Sequence, residues 1–230
     1  MTRRTNSTLA GVAFLAYIGF GITSLVIGGR ARHGRTVAEK LASIAGHVGD
    51  LRLVMLLLLL CSFCALVLAV TLYALTREED ADIARLGLVF RVAEGVLGGT
   101  AVFDAAKLLW LATANGPAAP SAEGARTLGS HLLYGQMDSA AFFAIGSLCF
   151  SWLLLRGRMI PIGLAWLGVI ASALWTASIP LQILDRLPGD VAMYATWIPM
   201  AGFEVALAVW LIVKGARAPR SQLLRVTVTT

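Results

Sequence analysis

Four long stretches of the chain contain no charged side chain: residues 5–29, 53–76, 139–155 and 159–184. A helix needs about 20 apolar residues to cross the hydrocarbon core of a bilayer. Only 14% of all residues are charged, whereas a soluble domain carries about 25%. A soluble fold of this size could not bury so much apolar surface, so the chain is predicted to lie in a membrane.

Two further apolar segments, residues 84–112 and 191–213, are interrupted by charges but are long enough to cross a bilayer. Inside lipid the backbone must satisfy its own hydrogen bonds, and a helix does this within one segment. The sequence therefore predicts an all-α fold, a single domain over residues 1–230 that forms a bundle of six transmembrane helices. The predicted helices cover approximately residues 8–28, 53–76, 84–112, 139–157, 160–181 and 191–213.

The basic residues flank the apolar segments and predict an orientation. Ten Lys and Arg residues fall on the side that carries both termini, and seven fall on the other side. The positive-inside rule then places both termini in the cytoplasm. The net charge of +6 does not indicate a nucleic-acid partner, because these residues form no basic patch. The lipid bilayer is the partner that the sequence predicts.

The first outer loop is predicted to contain a short amphipathic helix. Thr36 and Glu39 have the spacing of a capping box, and apolar residues follow at helical spacing over residues 37–48. Such a helix would lie on the outer surface of the membrane. It could act as a lid over an outer opening, or it could only seal lipid from water. The Gly- and Pro-rich residues 115–130 are predicted to form an outer loop.

Charged residues within two predicted helices are the candidate functional residues. Each charge at mid-helix opposes membrane insertion by roughly 2.5–3.5 kcal/mol, so these side chains should face protein or a wet cavity. The i,i+3 spacing allows two ion pairs on the third helix. The residues are Arg91, Glu94, Asp104 and Lys107 on the third helix and Glu204 on the sixth.

Arg91, Glu94 and Glu204 are predicted to meet inside the bundle. Glu94 and Glu204 lie at similar depth on antiparallel helices, roughly 13–15 Å from the cytoplasmic end. The five intramembrane charges include one more acid than base, so one acid would be protonated or would await a cation or a cationic ligand. Two interpretations stay open: a ligand, ion or proton site, and a structural polar lock between the two helices.

The sequence contains no motif that specifies a reaction. No Ser–His–acid arrangement, phosphate loop or zinc-protease motif is present. His33, His47 and His131 fall in outer loops or at interfaces, and the C-x-x-C of Cys61 and Cys64 lies mid-helix without a second pair. We therefore predict no catalytic residues, no metal and no cofactor, and favour a function other than catalysis.

Three segments resemble a bacterial membrane family filed as domain of unknown function 4386. Residues 143–168 are similar to its helix–loop–helix hallmark, residues 199–215 to its last helix, and residues 88–94 to its third helix. The resemblance implies a six-helix bacterial membrane protein and places Arg91, Glu94 and Glu204 at motif positions. It implies no substrate.

Two functional hypotheses follow from these observations. In the first, the chain is a multi-pass inner-membrane protein that binds or transports a small solute, an ion or a lipid through the polar cluster. Alternatively, it is a non-catalytic scaffold or regulatory module, and its buried charges only hold the helices together.

Overall fold

The computed structural model of the chain describes residues 1–116, 119–134, 139–184, 186–187 and 189–220, with the side chains of 134 and 189–193 left aside. The described residues form helices and no strands, so the predicted all-α class is confirmed. Eight helices occur in these ranges: α1 (Arg3–Ala31), α2 (Val37–Gly46), α3 (Val48–Thr76), α4 (Ala81–Thr113), α5 (Ala122–Tyr134), α6 (Ala140–Arg156), α7 (Ile162–Ile183) and α8 (Gly189–Val213).

Five helices in the described part of the chain are long and apolar enough to cross a membrane: α1, α3, α4, α7 and residues Tyr194–Val213 of α8. The predicted fourth span corresponds to α6, which has 17 residues and is shorter than the other five. At 1.5 Å per residue, α6 is about 25 Å long. The protein is thus a multi-pass helical membrane protein with five evident spans.

α3 begins earlier than its apolar run, residues 53–76, predicts. α3 starts at Val48, not at residue 53, and its first turn includes Asp50. An acidic residue in the first turn is favoured by the partial positive charge of a helix N-terminus. The helix therefore extends past the apolar run through residues that the hydropathy pattern leaves out.

The capping box of α2 is confirmed. The Thr36 hydroxyl accepts the backbone N–H of Glu39, and the Glu39 carboxylate accepts the N–H of Thr36. The N–H groups of Arg35 and Thr36 hold the pKa of Glu39 below its usual value. The helix ends at Gly46 and not at residue 48, because the residue after His47 already begins α3.

The apolar stripe of α2 faces protein. Leu41 and Ile44 are buried in a cluster that residues of α3 and α4 complete. These two residues on α2 are joined there by Leu51, Val54, Leu108 and Leu111. The stripe that predicted an interfacial helix therefore stabilises a contact between helices.

The prediction of a loop over residues 115–130 is wrong, because α5 begins at Ala122. The Ser121 hydroxyl accepts the N–H of Gly124 at 3.1 Å at the start of this helix. A Cβ atom at Gly129 would lie 2.8 Å from Cγ1 of Val37, so glycine lets α5 approach α2 closely. The Gly- and Pro-rich residues before Ala122 led to the prediction of a loop over the whole segment.

The described residues group into two compact units. The first unit comprises the described parts of Met1–Ala16, Cys64–Gly95 and Ser139–Thr230. The second comprises the described parts of Tyr17–Phe63 and Val96–Asp138. The first unit contains all of α6, α7 and α8, and the second contains all of α2 and α5.

Close approaches at glycines bring the helices of the first unit together. α6 packs along α7, and α7 packs along α8. A Cβ atom at Gly87 of α4 would lie 3.1 Å from Cβ of Cys149 on α6. A Cβ atom at Gly11 of α1 would lie 2.6 Å from the carbonyl oxygen of Ala208 on α8. Small residues allow such approaches, on which helix association in lipid depends.

One end of the first unit is held together by arginines. Arg4 donates to the carbonyl oxygen of Ile212 at 2.9 Å, near the last residue of α8. Arg3 donates to the carbonyl oxygens of Leu75 and Arg217 and pairs with Glu78. The beginning of α1 therefore lies against the chain that follows α8.

Asp80 joins the α3–α4 turn to the end of α6. Its carboxylate accepts the N–H of Ile83 at 3.2 Å and a bond from Arg156 at 3.1 Å. The N–H of Ile83 and, to a smaller extent, the N–H of Asp82 and the Arg156 guanidinium hold the pKa of Asp80 below its usual value.

We predict that Gly11→Ala destabilises the protein and that Gly21→Ala on the same helix does not. The new methyl group at residue 11 meets a backbone oxygen, so α1 and α8 must separate, whereas residue 21 has nothing within 4 Å. Overpacking of this kind costs about 1–3 kcal/mol. The thermal midpoint in detergent should fall for Gly11→Ala only, and equal midpoints for both variants would contradict the close approach.

We predict that the stability difference between the wild-type protein and Asp80→Asn depends on pH. Asparagine can still accept the N–H of Ile83 but loses the charge that faces Arg156. Because the pKa of Asp80 is lowered in the folded protein, the charge stabilises above the unfolded-state pKa of about 4. This contribution disappears as the pH falls through the folded-state pKa.

The measurement is the difference in thermal midpoint between the two proteins, followed from neutral pH down to about pH 3. It should be largest near neutrality and shrink on acidification. Asp82→Asn is the control, since the exposed pair of Asp82 with Arg85 should contribute little. A difference for Asp80→Asn that grows on acidification would contradict the assignment.

Candidate functional site

Three ionisable side chains are buried among the described residues of the first unit. Arg91 is 1% exposed, Glu94 is 3% exposed and Glu204 is 6% exposed. α4 presents the first two on one face because residues three apart in a helix are neighbours. α8 supplies Glu204, which interacts electrostatically with both Arg91 and Glu94. The structure therefore brings together the three residues that the sequence predicted to meet.

The guanidinium group of Arg91 lies between a carboxylate and an aromatic ring. Nη1 of Arg91 is 3.3 Å from Oε2 of Glu94. The central carbon of the guanidinium lies 4.8 Å from the ring centroid of Phe143 on α6, in the range of a cation–π interaction. A Cβ atom at Gly146 would lie 2.8 Å from Cγ of Arg91. α6 thus accommodates the arginine stem at a glycine and faces its charge with a phenylalanine.

The hydrogen-bonding capacity of Arg91 is not used within the described part of the protein. None of its three guanidinium nitrogens has a hydrogen-bond acceptor there, although the ion pair with Glu94 is within 4.0 Å. Ser172 on α7 is fully buried, and its hydroxyl also lacks a hydrogen-bond partner among these residues. Buried polar groups are normally satisfied by protein, water or a ligand, so these unsatisfied donors distinguish the interior of the first unit.

The charges of the cluster do not balance when all three groups are ionised. One guanidinium faces two carboxylates, which leaves one negative charge in excess. Removing a charge from water without a partner is costly, and buried charges are normally paired. α7 passes beside α8 and contains no ionisable side chain over its whole length. α7 therefore supplies no positive charge that would balance the cluster.

An aromatic series leads away from Arg91. The rings of Phe143 and Trp175 are 4.9 Å apart, and those of Trp175 and Trp197 are 5.0 Å apart. Trp175 is buried, whereas Trp197 is exposed at the surface of α8. A contact of these side chains or of Gly146 with Arg91 was not predicted from the sequence. The i,i+3 spacing of Phe143 and Gly146 is the signal that places both on one face of α6.

Asp104 and Lys107, also predicted as site residues, are not part of this cluster. They belong to the second unit, where Nζ of Lys107 is 2.8 Å from Oδ1 of Asp104. The Lys107 side chain is 62% exposed. An exposed pair of this kind needs no interior partner, so these two charges differ physically from the buried three.

The other chemistry-bearing groups are dispersed. Among the described residues, no three His, Cys, Asp or Glu side chains are grouped so that they could hold a metal ion. Cys61, Cys64 and Cys149 form no disulfide within the described part of the chain. An open groove of about 850 Å³ in the second unit is lined by exposed residues of α2 and α5, with Arg126 and His131 among them. The buried cluster in the first unit is therefore the candidate functional site.

Comparison with known proteins assigns the chain to a family. Neither a search of curated proteins nor a search of solved structures finds a match. The model of one family, described as Domain of unknown function (DUF4386), matches residues 9–215, most of the chain and all three buried ionisable residues. The chain therefore belongs to the DUF4386 family of domains of unknown function.

Proposed function

We propose that this protein binds and transports a small cation, the proton included, at the cluster of Arg91, Glu94 and Glu204. The observation that carries the proposal is that two buried carboxylates interact electrostatically with one buried guanidinium group, which forms an ion pair with Glu94. A cluster with an excess negative charge in a low-dielectric interior favours the uptake of a positive charge. Ionisable residues inside membrane helices commonly mark ion pathways and proton relays.

The alternative is a structural lock, in which the cluster only joins α4 to α8 and the protein serves as a scaffold or regulatory module. Its support is the low exposure of all three side chains, since a dry interior suits a permanent ion pair. A permanent lock works best when every charge has its partner, because a buried ion pair is costly unless its geometry and hydrogen bonds are good. Two features favour the cation site over the lock: the unequal charges and the guanidinium nitrogens without acceptors in the described chain.

We further propose that α6 also crosses the membrane, which gives six crossings together with the five evident spans. Both termini then lie on the same side of the membrane. The contacts of Arg3 with Arg217 and of Arg4 with Ile212 join the start of α1 to the end of α8, and termini on one side require an even number of crossings. A helix of 17 residues is at the lower limit for a span. The charge bias favours the cytoplasm for this side, and we place the protein in the inner membrane of a bacterium.

The topology predicts that a reporter active only in the cytoplasm works when it is fused after Thr230. The same reporter inserted after Gly116, in the segment between α4 and α5, should be silent because that segment would lie on the outer side. Activity of each fusion is compared at equal protein level in membranes. A silent fusion at Thr230 with stable protein present, or equal activity at both sites, would remove the proposed topology.

Cation transport predicts that Glu204→Gln loses uptake while it remains folded. The protein is reconstituted into liposomes, and uptake is followed with a pH-sensitive dye for protons and with a labelled monovalent cation such as Na⁺. Glutamine preserves the shape of the side chain but removes the negative charge that the cation would meet. We expect uptake to fall to about the level of empty liposomes, a loss of at least about tenfold, which corresponds to about 1.4 kcal/mol.

Glu123→Gln on α5 is the matched control, because it makes the same change at an exposed carboxylate. It should retain wild-type uptake. The structural lock predicts a different outcome, in which Glu204→Gln has a lower thermal midpoint in detergent and the wild-type protein shows no uptake of either cation. That outcome would replace the transport proposal with the lock.

A further inference from the structure

We infer that the species taken up by the cluster is a proton and that Glu204 is the carboxylate that binds it. This inference deepens the proposed function and depends on the same site. The excess of negative charge alone specifies neither the cation nor the side chain that binds it. This inference specifies both. Three features of the first unit carry it: the donor set, the lack of free space and the different pairing of the two carboxylates.

The donor set of the cluster does not suit a metal ion. Hard cations such as Mg²⁺ and Ca²⁺ need about six oxygen ligands, and the described residues contain no group of three metal-binding side chains. The third member of the cluster is Arg91, whose guanidinium only donates hydrogen bonds and carries a permanent positive charge. This group would repel a second full positive charge that arrives as a metal ion. A proton becomes part of the carboxyl group and needs no ligand shell.

The space around the cluster does not suit an organic cation. Arg91, Glu94 and Glu204 are 1%, 3% and 6% exposed. The stem of Arg91 already lies so close to Gly146 that a single added carbon atom would stand 2.8 Å from Cγ. The Phe143 ring covers the guanidinium on another side. A proton adds no measurable volume, so it can enter without moving a helix.

The two carboxylates are not equivalent, which selects Glu204. Glu94 lies on the same helix as Arg91 at i,i+3, with 3.3 Å between the charged atoms. No ion pair within 4.0 Å connects Glu204 to a basic side chain of the described chain. Glu94 therefore keeps the guanidinium as its partner, and Glu204 holds the negative charge that remains.

The surroundings of Glu204 contain few other ionisable groups. α4 contributes Arg91 and Glu94. α7, which packs along α8, contributes none. α1, which approaches α8 at Gly11, has its arginines only near its two ends. Within the described chain, Arg91 and Glu94 are therefore the ionisable side chains that interact with the Glu204 carboxylate.

The proposed step is the reversible binding of one proton. A hydronium ion from water on one side of the membrane transfers a proton to a carboxylate oxygen of Glu204, so that one O–H bond forms on Glu204, one O–H bond of the hydronium breaks, and a water molecule is released. The net charge of the cluster changes from minus one to zero. Release of the proton restores the carboxylate. The guanidinium N–H groups, which lack acceptors within the described chain, are then available to either carboxylate.

Infrared difference spectroscopy of the purified full-length protein in lipid nanodiscs tests this inference. Spectra at acidic and alkaline pH are compared in H₂O and D₂O, with K⁺ as the only added metal cation. A protonated carboxyl group has a carbonyl stretching band that is absent from a carboxylate and shifts in D₂O. We expect one component of the titrating carboxyl bands to be present in the wild-type protein and in the control Glu123→Gln, and to be lost in Glu204→Gln.

Conservative variants assign the band to one carboxyl group. Glu204→Asp keeps a carboxyl group in a slightly different place, so the band should remain but change its position. Glu94→Asp should change the band position less than Glu204→Asp does, because it moves a neighbouring charge and not the carboxyl group that binds the proton. A band that keeps its position in Glu204→Asp and moves in Glu94→Asp would overturn the assignment to Glu204. These variants keep the charge, so they are less disruptive to folding than Glu204→Gln.

The failure of this inference differs from the failure of the proposed function. A spectrum that responds to Na⁺ at fixed pH and shows no titrating band of Glu204 would overturn the inference that the cation is a proton. It would leave the proposal of cation transport in place. A titrating Glu204 band in a protein that transports nothing in liposomes would support proton binding and reject transport. A spectrum that responds to neither pH nor Na⁺ would overturn the inference and favour the structural lock.

Discussion

The burial of the Arg91 guanidinium is the constraint on which the first unit depends. A full positive charge inside a membrane helix must find compensation within protein. The chain supplies it from three directions: Glu94 on the same helix, the Phe143 ring on α6, and the carboxylate of Glu204 on α8. Because Phe143 and Glu204 come from helices other than α4, compensation of this one charge also requires that α4, α6 and α8 pack together.

Glycine makes this arrangement sterically possible. Gly146 leaves room for the stem of Arg91, Gly87 brings α4 against α6, and Gly11 brings α1 against α8. In lipid there is little hydrophobic drive for helices to associate, so close van der Waals packing and polar contacts must hold them together. The same glycines leave little free volume beside the charges. The cluster is consequently suited to a proton and poorly suited to a bulky ligand.

The sequence predicted the features that follow from hydropathy and from helix geometry. The all-α class, the approximate positions of the apolar helices and the capping box at Thr36 were confirmed, because each depends on local spacing alone. The proximity of Arg91, Glu94 and Glu204 was also predictable from their similar depth, because charged side chains within a membrane face protein or water and not lipid. α5 was missed because its amphipathic face becomes apparent only once its partners on α2 and α4 are known.

The distinction between the two charge pairs of α4 was not predictable from spacing. Arg91 with Glu94 and Asp104 with Lys107 have the same i,i+3 separation, but the first pair is buried and Lys107 is exposed. Spacing sets which side chains on one helix can meet, whereas burial depends on which helices pack against that face. The grouping of Arg91 and Glu94 with Glu204, apart from Asp104 and Lys107, is therefore visible only in three dimensions.

A double-mutant cycle tests most directly the central claim that Arg91 is shared by two carboxylates on different helices. The free energy of unfolding in detergent would be measured for the wild-type protein, Arg91→Met, Glu204→Gln and the double variant. Residues in one charge network typically show interaction energies of about 0.5–3 kcal/mol. The account predicts a coupling in this range between Arg91 and Glu204 although they are on different helices. Additive effects of the two substitutions would show that Glu204 does not share the guanidinium and would contradict the account.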